Sequence, residues 1–153
     1  MIAVLQRVKN ASVSVNNDIV GDCNEGLLIL LGVAATDTEE DASVLAKKIV
    51  NLRIFSDEND KLNLSVKDVS GEALVVSNFT LLANYKKGNR PDYLNSARPD
   101  MAKKLYLFFT ELISKELKHV GMGAFGEHME ICSVCNGPIT ITLDSNVLLN
   151  KKN

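Results

Sequence analysis

Tryptophan is absent, histidine occurs only at His119 and His128, and cysteine only at Cys23, Cys132 and Cys135. Two histidines leave few ways to build a His-centred triad or a metal cage. An odd cysteine count argues against a disulfide framework. Cys132-x-x-Cys135 has the spacing of a redox pair or of half a zinc site. A structural zinc takes four ligands, however, and only Cys23 and the two histidines remain to complete it. The flanking Met129–Val134 reads as a strand, which turns Cys132 and Cys135 to opposite sides. They are therefore expected as small buried or half-buried residues. No metal and no organic cofactor is predicted.

Long apolar runs are also missing. The longest, Leu27–Leu31, falls far short of the roughly 20 residues of a membrane span. Met1–Arg7 lacks the basic-then-apolar build of a secretory leader, so a cytoplasmic location is expected. Charge of one sign is lacking too: 17 Lys and Arg stand against 19 Asp and Glu, for a formal charge of −2. That balance argues against tight, nonspecific nucleic-acid binding but allows a local basic patch.

What is present is an ordinary globular composition, 46% hydrophobic and 24% charged over 153 residues, a length that suits one domain. Met1–Val8 is a β-branched apolar run. Ala11–Val15 alternates with period 2, and Asn16-Asn17-Asp18 turns it back into Ile19–Gly21 as a hairpin. Leu27–Val33 is continuous enough to be buried on both faces. Thr38, with acids following, caps a helix over 39–52. Ala73–Leu81 is a further strand. Pro99 opens a helix running to about Leu117. Gly121–Gly126 reads as a flexible connector, and 128–135 and 138–144 as two last strands flanking Asn136-Gly137-Pro138. The fold class predicted is α+β: mainly antiparallel, barrel-like sheets with two outer helices, a single domain over 1–145 and a flexible tail over 146–153.

Three features carry candidate chemistry. Ser77-Asn78-Phe79-Thr80 sets two hydroxyls and an amide at the end of an apolar strand, where pockets form; the same pattern also describes a strand leaving the core with hydroxyls on local backbone. Asn136-Gly137-Pro138 reads as a hairpin bend, or as a cis X-Pro that aims carbonyls at a ligand. Lys86-Lys87-x-x-Arg90, flanked by Tyr85 and Tyr93, reads as a solvated loop or as a phosphate contact.

Taken in order, Met1–Val8, Gly26–Val33, Asn51–Phe55, Ser77–Leu81, Lys87–Pro91, Phe125-Gly126 and Asn136–Thr140 resemble the D-aminoacyl-tRNA deacylase family of the D-tyrosyl-tRNA type. The resemblance runs from Met1 to about Ser145. It implies a homodimeric α+β editing hydrolase of carboxylic esters that frees a D-amino acid, or glycine, from the tRNA 3′ end, with an active site shared between subunits. The family's Ser-Gln-Phe-Thr motif maps onto Ser77, Asn78, Phe79 and Thr80, with Asn78 where Gln is usual. Its Gly-cis-Pro motif maps onto Gly137 and Pro138, preceded by Cys135-Asn136 where Asn-Asp is usual. Arg7 resembles the arginine that packs beside that motif; its other reading is a surface residue at a strand end.

The resemblance implies that Gly137 and Pro138, entering the partner's pocket, reject L-aminoacyl esters. An aminoacyl ester is already activated, so water can attack it if backbone N–H groups around Phe79 and Thr80 meet the developing oxyanion. The RNA's own 2′-hydroxyl is expected to help position that water. Lys86, Lys87 and Arg90 are the candidate tRNA contacts. Two alternatives stay open on the sequence: a deacylase of relaxed chirality, suggested by Asn78 and Cys135, and a dimeric RNA-binding module without catalysis.

Overall fold

The computed structural model describes residues 1–151. One long strand, β1 (Ile2–Val15), organises the sheet. Its first half pairs antiparallel with β3 (Gly26–Gly32), and its second half with β2 (Asp18–Cys23). The parallel neighbours β6 (Glu72–Ser77) and β7 (Val120–Met122) continue the order β2-β1-β3-β6-β7. The other edge of β1 carries β8 (Glu130–Asp144). Two short strands, β4 (Phe55–Ser56) and β5 (Leu62–Leu64), form a separate ladder.

The sheet is thus mixed: mainly antiparallel around β1, as expected, but with β3, β6 and β7 running parallel. The reason is connectivity. Helix α1 (Glu39–Val50) lies between β3 and β6 in the chain, and α2 (Pro99–Ser114) between β6 and β7. Each helix is a crossover, and strands joined by a crossover run parallel. A third short helix, α3 (Ser145–Leu148), adds to the two expected. No helix among the described residues is long and apolar enough to cross a membrane.

The sheet nearly closes where β2 crosses β7. A Cβ on Gly121 would stand 2.1 Å from the Asp22 carbonyl oxygen, and one on Gly21 would stand 2.3 Å from that of Met122. Only glycine at both positions lets the two backbones pass so closely.

Side-chain alternation builds two cores. Leu27, Ile29 and Leu31 of β3 face the helices with Leu45, Ile49, Phe109 and Ile113. Leu28 faces the other way, into a smaller cluster with Val8, Val13, Leu74 and Val76. Burial on both faces explains the uninterrupted apolar run. Helix α1 begins as the sequence predicts, with Thr38 N–H donating to Asp41 Oδ2 at 2.9 Å in a capping box.

The far end of the chain is tied in by polar contacts. The Met1 ammonium donates to Asp37 at 2.6 Å and to Ser145 Oγ at 2.7 Å. Ser145 Oγ donates to Asp41 at 2.8 Å, and Lys151 Nζ reaches the same carboxylate at 2.7 Å. Residues 146–153 are expected as a flexible tail. The structure carries α3 over Ser145–Leu148 there, while Lys152 and Asn153 lie outside the described residues.

Two further expectations change. Strands 128–135 and 138–144 are one strand, β8, not a hairpin, because both halves pair with the same strand β1. The register passes from Val8↔Cys135 to Gln6↔Thr140, so Asn136–Ile139 bulges from the ladder opposite Arg7. The peptide bond between Gly137 and Pro138 is cis. Cys132 and Cys135 are exposed rather than buried, on β8, an edge strand whose faces are left uncovered at these positions by the described residues. Cys23 is buried, and burial pushes its thiol up to about 11, away from reactive thiolate.

Candidate active site

Strand β6 ends at Ser77, and the chain turns at once into a 3-10 turn over Phe79–Leu82. Asn78 causes the turn. Its backbone N–H still reaches across to the Leu31 carbonyl at 2.8 Å, as a strand residue would. Its side-chain Oδ1, however, accepts from Thr80 N–H at 3.2 Å and from the Thr80 hydroxyl, which caps the new turn. The strand expected to run on to Leu81 therefore stops four residues early.

This turn forms one wall of a cavity of about 750 Å³. Ser77, Asn78, Phe79 and Thr80 all line it, with Phe79 and Thr80 exposed. Phe125–Met129 form the facing wall, and Tyr93, Ser96 and the first turns of α2 complete it. Phe79 and Tyr93 meet edge to face, with ring centroids 5.0 Å apart, and Ser96 Oγ donates to the Phe79 carbonyl at 3.3 Å. Tyr106 joins the two walls. Its buried hydroxyl lies 2.9 Å from the Val75 carbonyl and 3.2 Å from that of Gly123, and its ring packs 5.8 Å from Phe125. Burial pushes that phenol up to about 12, so it acts as a neutral donor.

The donors at the polar end are unequal. Thr80 N–H is engaged by Asn78, whereas Phe79 N–H, at the start of the turn, has no partner among the described residues. The Thr80 hydroxyl donates its proton to an amide oxygen rather than to a base. His128 lines the cavity, but the other histidine does not: His119 Nε2 sits 3.0 Å from the Asp22 carbonyl and 3.4 Å from the Asp22 carboxylate. The arrangement offers an N–H donor to a substrate carbonyl and room for water, without a paired nucleophile and base among the described residues.

Other predicted residues lie elsewhere. Gly137 and Pro138 are exposed on β8 and line no part of this cavity. Arg7 is buried rather than a surface residue at a strand end. Its Nε donates to the Asn136 carbonyl at 3.0 Å and its Nη1 to the Ile54 carbonyl at 2.8 Å, with its guanidinium 5.9 Å over the Phe55 ring. Lys86, Lys87 and Arg90 are exposed on a loop pinched at its base. There Asn84 and Asp92 exchange backbone hydrogen bonds of 2.8 and 3.0 Å. The wall that follows Phe125-Gly126, Glu127–Met129, is not marked as such by the sequence. The positive φ of Gly126 turns the chain there, and its glycine was the available signal. Among the described residues no group of three or more His, Cys, Asp or Glu is placed to hold a metal.

Comparison with known proteins adds an independent line. Residues 4–144 match the family described as D-Tyr-tRNA(Tyr) deacylase. The D-aminoacyl-tRNA deacylase of Caldicellulosiruptor saccharolyticus is 54% identical over 145 residues, covering 95% of this chain and 97% of that protein. The one from Bacillus cytotoxicus is 49% identical over 145 residues, covering 95% and 99%. Among solved structures, the c-Myc DNA Unwinding Element Binding Protein superposes with a TM-score of 0.89 at 37% identity, over 94% of this chain and 98% of that one. A probable eukaryotic D-amino acid tRNA deacylase, at 16% identity and a TM-score of 0.81 over the same shares of the two chains, shares the fold.

Proposed function

The chain belongs to the D-Tyr-tRNA(Tyr) deacylase family, and from that premise we propose that it cleaves the ester joining a D-amino acid to the tRNA 3′ end. Water adds to the ester carbonyl, the bond to the ribose oxygen breaks, and the products are the free amino acid and tRNA. The observation that carries this reading is the cavity wall at Phe79. An activated ester needs an oriented carbonyl, a donor for its developing negative charge and access for water. Phe79 N–H is such a donor, held on a turn that Asn78 fixes. Ser77 and Thr80 shape the same polar end, and the ribose 2′-hydroxyl positions the water.

Chirality is assigned to Gly137 and Pro138 acting in a second copy of the chain. Both are exposed on the outer strand, and neither lines its own cavity. Seated in the partner's pocket, their carbonyls leave space for hydrogen but not for an L side chain. D-aminoacyl and glycyl esters then pass, the latter as on glycyl-tRNA(Ala). Arg7 holds this segment in place from behind. Lys86, Lys87 and Arg90 meet RNA phosphates. The catalytic domain spans 1–145, requires no cofactor and works in the cytoplasm beside aminoacylation.

The test is deacylation of D-Tyr-tRNA, L-Tyr-tRNA and glycyl-tRNA(Ala) by the purified protein, with its mass in solution measured alongside. Cleavage of the D and glycyl esters by a dimer is the expected result. Equal cleavage of L-Tyr-tRNA would replace strict selectivity with relaxed chirality. RNA binding without turnover would leave a non-catalytic module, and an active monomer would remove the shared site.

A further inference from the structure

The cavity lining contains one group able to carry a positive charge among the described residues, and it is His128. Arg7, Lys86, Lys87 and Arg90 all lie outside that lining. His128 also differs from His119 in having no hydrogen-bond or ion-pair partner among the described residues, whereas His119 is held by Asp22. Glu127 N–H closes a turn onto the Ala124 carbonyl at 3.3 Å, Met129 packs against the smaller core, and β8 begins at Glu130. An exposed imidazole in the cavity lining, without a partner among the described residues, is available to a ligand.

Taking the deacylase reading as its premise, we infer that His128 is a further substrate-binding residue, donating to the phosphodiester next to the esterified 3′ nucleoside. A cavity of about 750 Å³ accommodates a ligand the size of an aminoacyl-adenosine. With the ester carbonyl at Phe79, the nucleoside fills the apolar remainder, and the first phosphate emerges at the rim. The other ionisable groups of the lining are Glu127, Tyr93 and Tyr106. Glu127 repels a phosphate, and Tyr106 is committed to the Val75 and Gly123 carbonyls. Tyr93 donates only as a neutral phenol. His128 alone supplies an N–H donor that can also be cationic.

The experiment compares the native protein with His128→Gln and His128→Lys at pH 6 over a series of salt concentrations. Both kcat and KM for D-Tyr-tRNA are measured, together with the Kd for uncharged tRNA carrying its CCA end. The expected result for His128→Gln is an unchanged kcat and a KM about 3- to 10-fold higher at low salt. The slope of log KM against log salt is expected to flatten by about 0.7, the signature of one lost single-strand phosphate contact. His128→Lys restores both. An unchanged KM and slope in His128→Gln overturns the assignment, as does a fall in kcat alone. If the native protein cleaves no ester, the deacylase reading falls. The Kd comparison then still decides the phosphate contact: equal Kd values for native protein and His128→Gln overturn it, and a weaker, less salt-dependent Kd in the variant supports it.

Discussion

Arg7 Nε donates to the carbonyl oxygen of Asn136 at 3.0 Å, from a strand position whose partners on β8 have been displaced by the bulge at Asn136–Ile139. Among the described residues no carboxylate pairs with the guanidinium. It is satisfied by two backbone carbonyls and the face of Phe55, so its position and that of the bulge define each other.

Arg7→Lys therefore separates discrimination from turnover. A lysine ammonium lacks the planar fork that reaches Ile54 and Asn136 together, and loses one charge-assisted hydrogen bond worth about 1.5–3 kcal/mol. The expected outcome is a fall of about 10- to 100-fold in the D-over-L ratio of kcat/KM, with D-ester turnover kept within a few-fold. Parallel assays on D-Tyr-tRNA and L-Tyr-tRNA check it, and an unchanged ratio would detach Arg7 from selectivity.

The turn at Asn78 gives a second expectation. Thr80→Ala leaves the cap from Asn78 Oδ1 to the residue 80 N–H intact and is expected to lower kcat by less than about tenfold, since the proposed oxyanion donor is a backbone N–H. Asn78→Ala removes the cap, a loss of about 0.5–2 kcal/mol to the turn, and is expected to lower kcat more than Thr80→Ala does. Single-turnover deacylation of both variants decides the order. A fall of Thr80→Ala to the uncatalysed rate would make the hydroxyl the nucleophile.

The Asp41 carboxylate predicts a pH dependence of stability. Burial by itself would raise its pKa, but Lys151, Ser145 and Thr38 outweigh this and hold it well below the usual carboxylate range. A carboxyl depressed in the folded state adds stability that is present above its unfolded value, near pH 4, and is lost as pH falls towards the folded value. Asp41→Asn is expected to lower stability by about 1–3 kcal/mol at pH 7. The gap from the native protein should shrink steadily below pH 4. Thermal unfolding of both proteins between pH 7 and pH 2.5 measures it, and a gap independent of pH would exclude the charged contact.

Much of the fold was legible because it is local. Thr38 followed by Asp41, Pro99 at a helix start and the double-faced run Leu27–Leu31 each report on their own few residues. The candidate wall Ser77–Thr80 was legible too, as polar groups ending an apolar strand. The cap by which Asn78 ends that strand was not read, and so neither was the inequality of the Phe79 and Thr80 donors. Strand β7 is not legible in the sequence, since Val120–Met122 has a strand's hydrogen bonds only when β6 lies beside it.

The sequence by itself determined the family, the two long helices, the main apolar strands, and the chemical types gathered near Ser77–Thr80. Those properties depend on residue identity and short-range spacing, which the chain carries along its length. Only the tertiary structure decided that β8 is one strand with a bulge, that Cys132 and Cys135 face outward and that Arg7 is buried. It alone put His128 in the cavity and left Gly137 and Pro138 out of it. Each of these depends on which distant segment lies alongside, as β1 does for β8. The scarcity of histidine and cysteine gains its meaning there as well. In the proposed mechanism a backbone donor held by a capped turn serves an activated ester, and that turn takes its place only when the strand β6 beneath it is paired.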